Sequence, residues 1–153
     1  MKIAVFSDSH GDISAMLAAV RSFSPDLILH LGDHTGDADE LTAETGIPVR
    51  RVRGNCDFAT TAPLSDMFEL SGRRILMCHG HRHQVKLGLD SLLNAAHFSH
   101  ADIVLYGHTH QAYLAHVGNM LILNPGSIGS GTHRSWAKLT IENEKTDAEI
   151  IPV

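Results

Sequence analysis

Lys2-Ile3-Ala4-Val5-Phe6-Ser7-Asp8-Ser9-His10-Gly11-Asp12 begins as an apolar run of strand length and ends as a polar turn. A run rich in Ile, Val and Phe, without alternation, marks a parallel strand covered on both faces. Asp12 then caps a helix, because Ile13, Met16, Leu17, Val20 and Phe23 recur every three or four residues and line one face over residues 13–23. Ser24-Pro25 stops it, and Asp26-Leu27-Ile28-Leu29-His30-Leu31 is a second buried strand running into Gly32-Asp33. Strand, helix and parallel strand form a β-α-β unit, which sets the class as α/β.

Outward from this unit, a weaker helix is predicted over 37–45, followed by Gly46-Ile47-Pro48 and a third strand over 49–52 that ends at Gly54-Asn55-Cys56-Asp57. After Pro63 the rhythm changes: Met67 to Leu70, the turn Ser71-Gly72-Arg73, and Arg74 to Cys78 read as a hairpin that delivers His79-Gly80-His81. A helix is predicted from Leu87 to Phe98, with Leu89, Leu92, Leu93 and Ala96 on one side. The strand Asp102 to Tyr106 then feeds Gly107-His108-Thr109-His110. The remainder reads as β, with strands over 113–117, 120–123, 136–141 and 148–151. Gly118-Asn119 is a two-residue hairpin turn, and Asn124-Pro125-Gly126-Ser127 is a second turn.

A chain of 153 residues, 43% hydrophobic and 19% charged, has the size and composition of one ordinary globular domain spanning 1–153. A formal charge of −5 offers no general attraction to nucleic acid or to an anionic membrane, so a phosphate-bearing substrate needs a local source of positive charge. The first apolar run is too short for a signal peptide or a membrane span, and two cysteines, Cys56 and Cys78, make no disulfide framework; both point to the cytoplasm. Twelve histidines are the one compositional oddity and suggest metal binding.

Five polar clusters each follow a predicted strand directly: Asp8-Ser9-His10, Gly32-Asp33, Gly54-Asn55, His79-Gly80-His81 and Gly107-His108-Thr109-His110. In an open α/β sheet ligands bind beyond the carboxyl ends of the strands, so the five can converge on one place. Taken singly, Asp8-Ser9-His10-Gly11 reads equally well as a turn and helix cap, Gly32-Asp33 and Asn55 as turn residues, and His79 as a satisfied polar residue. Only the paired histidines of Gly107-His108-Thr109-His110 tilt toward function alone, since alternate residues on a loop can diverge toward different ions. Together, carboxylate, amide carbonyl and imidazole make a donor set suited to Mn²⁺, Fe²⁺ or Zn²⁺, and the share of oxygen leans toward Mn²⁺.

The ordered set Asp8-x-His10, Gly32-Asp33, Gly54-Asn55, His79 and Gly107-His108-x-His110 resembles the signature of the calcineurin-like metallophosphoesterase superfamily. The short chain, the Asn55-Cys56-Asp57 variant and Asn124-Pro125-Gly126-Ser127 make it most similar to the small bacterial and archaeal phosphodiesterase branch, whose fold a retromer scaffold subunit shares. The resemblance implies a four-layer αββα sandwich of two mixed sheets flanked by helices. It also implies two divalent ions, with Mn²⁺ favoured and Fe²⁺, Zn²⁺, Ni²⁺ and Co²⁺ as alternatives. Carried over by position, it assigns Asp8, His10, Asp33 and His110 to one metal, and Asp33, Asn55, His79 and His108 to the other, with Asp33 as the bridge. Asp33 and Asn55 thereby also enter the catalytic set. Two such ions, about 3.5–4 Å apart, share a hydroxide, lower its pKa and clamp the phosphate oxygens during in-line attack.

One position departs from the pattern. Many members of the superfamily carry His after the metal-binding Asn, to protonate the leaving group or bind phosphate, and here Cys56 takes its place. His34, adjacent to Asp33, is the leading substitute as general acid, ahead of His81 and His133. Cys56 and Cys78 are read as buried fillers near the metals, Arg134 as a phosphate contact or a plain surface arginine, His97, His100 and His116 as structural or exposed, and Trp136 as core or rim. The expected activity is hydrolysis of a small phosphate diester. A monoesterase, a nucleotide or pyrophosphate hydrolase, and a non-catalytic scaffold of the same fold are the competing readings. Tyr113 to Val117 is an edge strand through which a homo-oligomer could form.

Overall fold

The computed structural model describes all 153 residues. Along the chain run β1 (Lys2–Phe6), α1 (Ile13–Phe23), β2 (Leu27–His30), α2 (Thr35–Thr45), β3 (Val49–Arg51), β4 (Ser65–Leu70) and β5 (Arg73–Cys78). A single 3₁₀ turn (His81–His83) precedes α3 (Asp90–Phe98), β6 (Ile103–Leu105), β7 (Tyr113–Val117), β8 (Met120–Asn124), β9 (Ser135–Glu142) and β10 (Lys145–Pro152). The strands form two five-stranded sheets, ordered β10-β9-β1-β2-β3 and β4-β5-β6-β8-β7. Both are mixed: β1, β2 and β3 are parallel while β9 joins β1 antiparallel, and β5, β6 and β8 are parallel while β4 and β7 pair antiparallel at the edges.

Alternate residues of the same strands explain the layers, because successive side chains point to opposite faces. Ile3 and Val5 of β1, Leu29 of β2, Ile75 and Met77 of β5, and Leu121 and Leu123 of β8 meet in one buried cluster between the sheets. The intervening residues face outward: Ala4 and Phe6 pack with Met16 and Val20 of α1 and Leu41 of α2, while Leu76, Val104 and Ile122 pack with Leu92 and Ala96 of α3. The central strands therefore read as unbroken apolar runs, and the result is the expected αββα sandwich. Burying Met16 and Val20 of α1 stabilises the helix face by about 1.5–3 kcal/mol per side chain. No helix is long and apolar enough to cross a membrane.

α1 matches its sequence reading residue for residue, with Asp12 accepting from the Ala15 N–H at its start. α3 does not. It begins at Asp90 rather than Leu87, because Gln84 (φ 50°) and Gly88 (φ 149°) turn the backbone out of helical space, leaving Leu87 85% exposed. Asn143 and Glu144, both at positive φ, make the tight turn between β9 and β10. Trp136 is core, against Phe6 and Phe23.

Candidate metal centre

The five clusters do meet, at the carboxyl ends of β1, β2, β3, β5 and β6. Asp8, at the end of β1, is fully buried, and its two carboxylate oxygens have separate tasks. Oδ2 accepts from the hydroxyl of Ser7 and, at 3.2 Å, from the backbone N–H of His108. Oδ1 lies 3.0 Å from Nε2 of His110 and 3.8 Å from Nε2 of His79. Potential ligand atoms of Asp8, His10 and His110 lie within 4.8 Å of one another, as do those of Asp8, Asp33 and His79. Asp8 is the member common to both groups, whereas the resemblance assigns the bridging role to Asp33.

The second group explains why a cation fits. Nδ1 of His79 lies 2.8 Å from the carbonyl oxygen of Leu31, a contact that requires Nδ1 to carry the proton and donate it. The other ring nitrogen faces only oxygens: Oδ1 of Asn55 at 3.1 Å, Oδ2 of Asp33 at 3.5 Å and Oδ1 of Asp8. A lone pair surrounded by acceptor oxygens is repulsive unless a proton or a cation stands between them. Burial lowers the proton affinity of His79, but Asp33 and Asp8 outweigh it and hold its pKa above the usual histidine value. Burial likewise pushes the carboxyl of Asp33 up, yet His79 and the Cys56 N–H prevail and keep it well below the usual carboxylate range. The pocket thus attracts positive charge. Nε2 of His10 adds a buried nitrogen with no hydrogen-bond partner.

His108 belongs to neither tight group. Its ring centroid is 5.0 Å from that of His79, and burial, helped by the charges of His79 and Lys86, holds its pKa at about 4, so the ring is neutral and its lone pair free. Asn55 is exposed and reaches the centre through Oδ1 alone. His34 is exposed too, with its ring 5.1 Å from that of His10. His81 places its ring 5.5 Å from that of His79, and His133 stands in the cleft beside His110. Arg134 donates to Asp12 at 2.7 Å. Cys78 is buried on the α3 side, as a filler should be, and burial pushes its thiol up to about 12. Cys56 is instead exposed, and its backbone N–H donates to Oδ1 of Asp33 at 2.9 Å. His97, His100 and His116 are exposed and away from the centre.

Backbone strain marks the site. Asp8, His10, Asp33, His34, His108 and His110 all have φ between 48° and 70°, the left-handed region that non-glycine residues rarely occupy. Neighbouring glycines allow the loops to touch: a Cβ on Gly54 would lie 2.1 Å from Oδ1 of Asp33, and one on Gly107 would lie 2.0 Å from Oγ of Ser7.

Three supporting groups escaped the sequence reading. Asp57 accepts the N–H groups of Asp33, Thr35 and Gly54 at 2.8–2.9 Å, tying the second and third loops together. A buried chain of hydrogen bonds ties the first loop to the second. The Gly32 N–H donates to Nδ1 of His30, Nε2–H of His30 donates to Oγ of Ser9 at 2.9 Å, and the Ser9 hydroxyl donates to Asp37 at 2.7 Å. Ser127 donates to the Asp8 carbonyl oxygen at 2.8 Å, and the Ser130 hydroxyl lies 3.3 Å from Nδ1 of His110. The available signals were a histidine in an otherwise apolar strand and a fourth residue, Asp57, in the Gly-Asn-Cys-Asp turn.

Residues 1–144 match the calcineurin-like phosphoesterase superfamily domain. YsnB of Bacillus subtilis (strain 168), named a probable metallophosphoesterase, is 34% identical over 94% of this chain and 86% of its own. The phosphodiesterase YfcE of Escherichia coli (strain K12) is 28% identical over 84% of this chain and 79% of its own. A predicted phosphoesterase from Streptococcus pneumoniae TIGR4 superposes with a TM-score of 0.84 at 30% identity, covering 99% of this chain and 88% of that one. Vps29 from Entamoeba histolytica shares the fold, with a TM-score of 0.82 at 20% identity over 100% of this chain and 99% of its own. With the motif residues gathered at one end of the sandwich and the match running through both sheets, the chain belongs to the calcineurin-like phosphoesterase superfamily.

Proposed function

We propose that this protein is a phosphodiesterase that works with two divalent metal ions, Mn²⁺ being the best match to its oxygen-rich donor set. The observation that carries the reading is Nε2 of His79, a buried lone pair facing the oxygens of Asn55, Asp33 and Asp8. Following the resemblance, one ion would be held by Asp8, His10, Asp33 and His110 and the other by Asp33, Asn55, His79 and His108, while the spacing of the ligand atoms puts Asp8 within reach of both. When bound, the ions supply positive charge to the phosphoryl oxygens and a water of lowered pKa. That local charge answers the formal −5 of the chain.

The residues of the chain do the rest. The Leu31 carbonyl fixes the ring of His79, so that Nε2 points at the centre without reorganising. The Cys56 N–H and the Asp57 carboxylate hold Asp33 from both sides, and Ser7 with the His108 N–H orients Asp8. His34, exposed and beside His10, stands where it can give a proton to the departing alkoxide. Burial and the charge of Asp33 raise the pKa of the Cys56 thiol, which stays protonated and a weak donor.

The phosphodiesterase name of the Escherichia coli relative supports a diester over a monoester. Activity against the diester and the monoester of the same chromogenic alcohol, with Mn²⁺ present, tests the reading. Preference for the diester is expected. Preference for the monoester transfers the site to the monoesterase reading, and no hydrolysis with Mn²⁺, Fe²⁺, Zn²⁺, Ni²⁺ or Co²⁺ leaves the scaffold reading.

A further inference from the structure

A cleft of about 640 Å³ opens beside His110, in the range of small-molecule sites. It runs between the loop that follows Ile128 and the outer end of β10. Its near wall carries hydrogen-bonding residues, Gln111, Ser130, Thr132 and His133, beside Thr109, whose hydroxyl is already engaged by Asn124 and the Gln111 backbone. The guanidinium of Arg134 closes this wall, held by one nitrogen to Asp12 at 2.7 Å, with the others left for a ligand. The far end is apolar, formed by Ile150 and Pro152. No Asp or Glu side chain lines the cleft, in a chain with 17 of them.

We infer that this cleft is the specificity subsite for the half of the diester that stays on phosphorus, and that it takes a hydroxylated, sugar-sized alcohol. The inference rests on the phosphodiesterase reading above. His10 is in ring contact with both His34 and His110, at 5.1 and 5.3 Å between centroids. With His34 serving the departing alcohol, the retained alcohol falls to the His110 side, where Ser130 both contacts His110 and begins the polar wall. Hydroxyl, amide and guanidinium groups suit the hydroxyls and ring oxygen of a sugar, and no Asp or Glu side chain of the lining adds repulsion toward the adjacent phosphate. The apolar end suits a flat group carried on that sugar, such as a nucleobase.

Three diesters with one leaving group, the thymidyl, glyceryl and methyl p-nitrophenyl phosphates, isolate the retained half, assayed on the Mn²⁺-loaded protein. The expected result is a kcat/KM at least about tenfold higher for the thymidyl or glyceryl ester than for the methyl ester. Equal values for those two assign recognition to the hydroxyls, and a higher thymidyl value adds the apolar end. Thr132→Trp and Ala112→Trp, which add bulk on two separate lining segments of the cleft, bring the ratio to about one, while Phe98→Ser on the exposed face of α3 keeps it. A second readout needs no metal: thymidine monophosphate titrated in the presence of chelator shifts the backbone amide resonances of Gly131, Thr132 and His133. Equal kcat/KM for all three esters in the wild type, or a preference that survives both tryptophans, overturns the inference. Amide shifts without hydrolysis of any ester keep the cleft and overturn the phosphodiesterase reading instead.

Discussion

Acidification isolates the role of His30, the buried link between the loops that carry His10 and Asp33. Its ring is fully buried, accepts from Gly32 at Nδ1 and donates to Ser9 at Nε2, so a second proton has no place to go. Burial holds its pKa at about 4, against 6.5 for a free histidine. Above pH 6.5 the ring is neutral in the folded and unfolded chain alike, and His30 contributes nothing to the pH dependence. As the pH falls from there to 4, the unfolded chain takes up a proton that the folded chain refuses. Stability drops by about 1.4 kcal/mol per pH unit, or about 3 kcal/mol in all. Replacing the ring removes this term, so the test is urea unfolding of the chelator-treated wild type and His30→Asn between about pH 7.5 and pH 4. His79, whose pKa is raised, titrates with the opposite sign: it adds stability below its unfolded pKa that is lost as the pH rises through its folded pKa. Asp33, whose pKa is lowered, loses its contribution only below the usual carboxylate range. Both are present in both proteins and cancel in the difference. The wild type is expected to lose about 3 kcal/mol more than the variant across the window. Parallel pH profiles would refute the assignment of His30 as a neutral, buried linker.

Three further outcomes follow from the site. Asp57→Ala leaves the N–H groups of Asp33, Thr35 and Gly54 without their acceptor; it is expected to cost about 2–4 kcal/mol by urea unfolding and to weaken Mn²⁺ binding by calorimetry. Gly54→Ala drives a methyl into Oδ1 of Asp33 and should reduce diester hydrolysis by more than about a hundredfold while the circular dichroism spectrum stays that of a folded chain, since the overpacking itself costs about 1–3 kcal/mol. His34→Ala should slow a diester with a poorly departing alkyl alcohol by about a hundredfold and a p-nitrophenyl diester far less; equal slowing of both removes the proton-donor role.

The sheets and helices were legible wherever the covering of a strand or helix was uniform. β1 and β2 are buried on both faces and read as apolar runs, and α1 packs one face and shows one stripe. The start of α3 was misplaced because Leu87 counts as apolar in any periodicity, while the φ of Gln84 and Gly88 that ejects it is a property of the folded loop. The residues that gather at the candidate centre were legible because they occur as ordered clusters after strands. The linkers His30, Asp57 and Ser130 act through hydrogen bonds between loops distant in sequence, and their partners are not encoded in any local pattern. The same limit explains Asp8: its place in both ligand groups depends on how the ends of the two sheets meet, which spacing within one loop does not reveal.

The most direct test is a titration of chelator-stripped protein with Mn²⁺, following hydrolysis of bis(p-nitrophenyl) phosphate as the ion is added. The account predicts no activity in the stripped protein, activity that grows until two equivalents per chain are bound, and its loss in His110→Ala. Full activity in the stripped protein, or saturation of the sites with no hydrolysis at all, would contradict it.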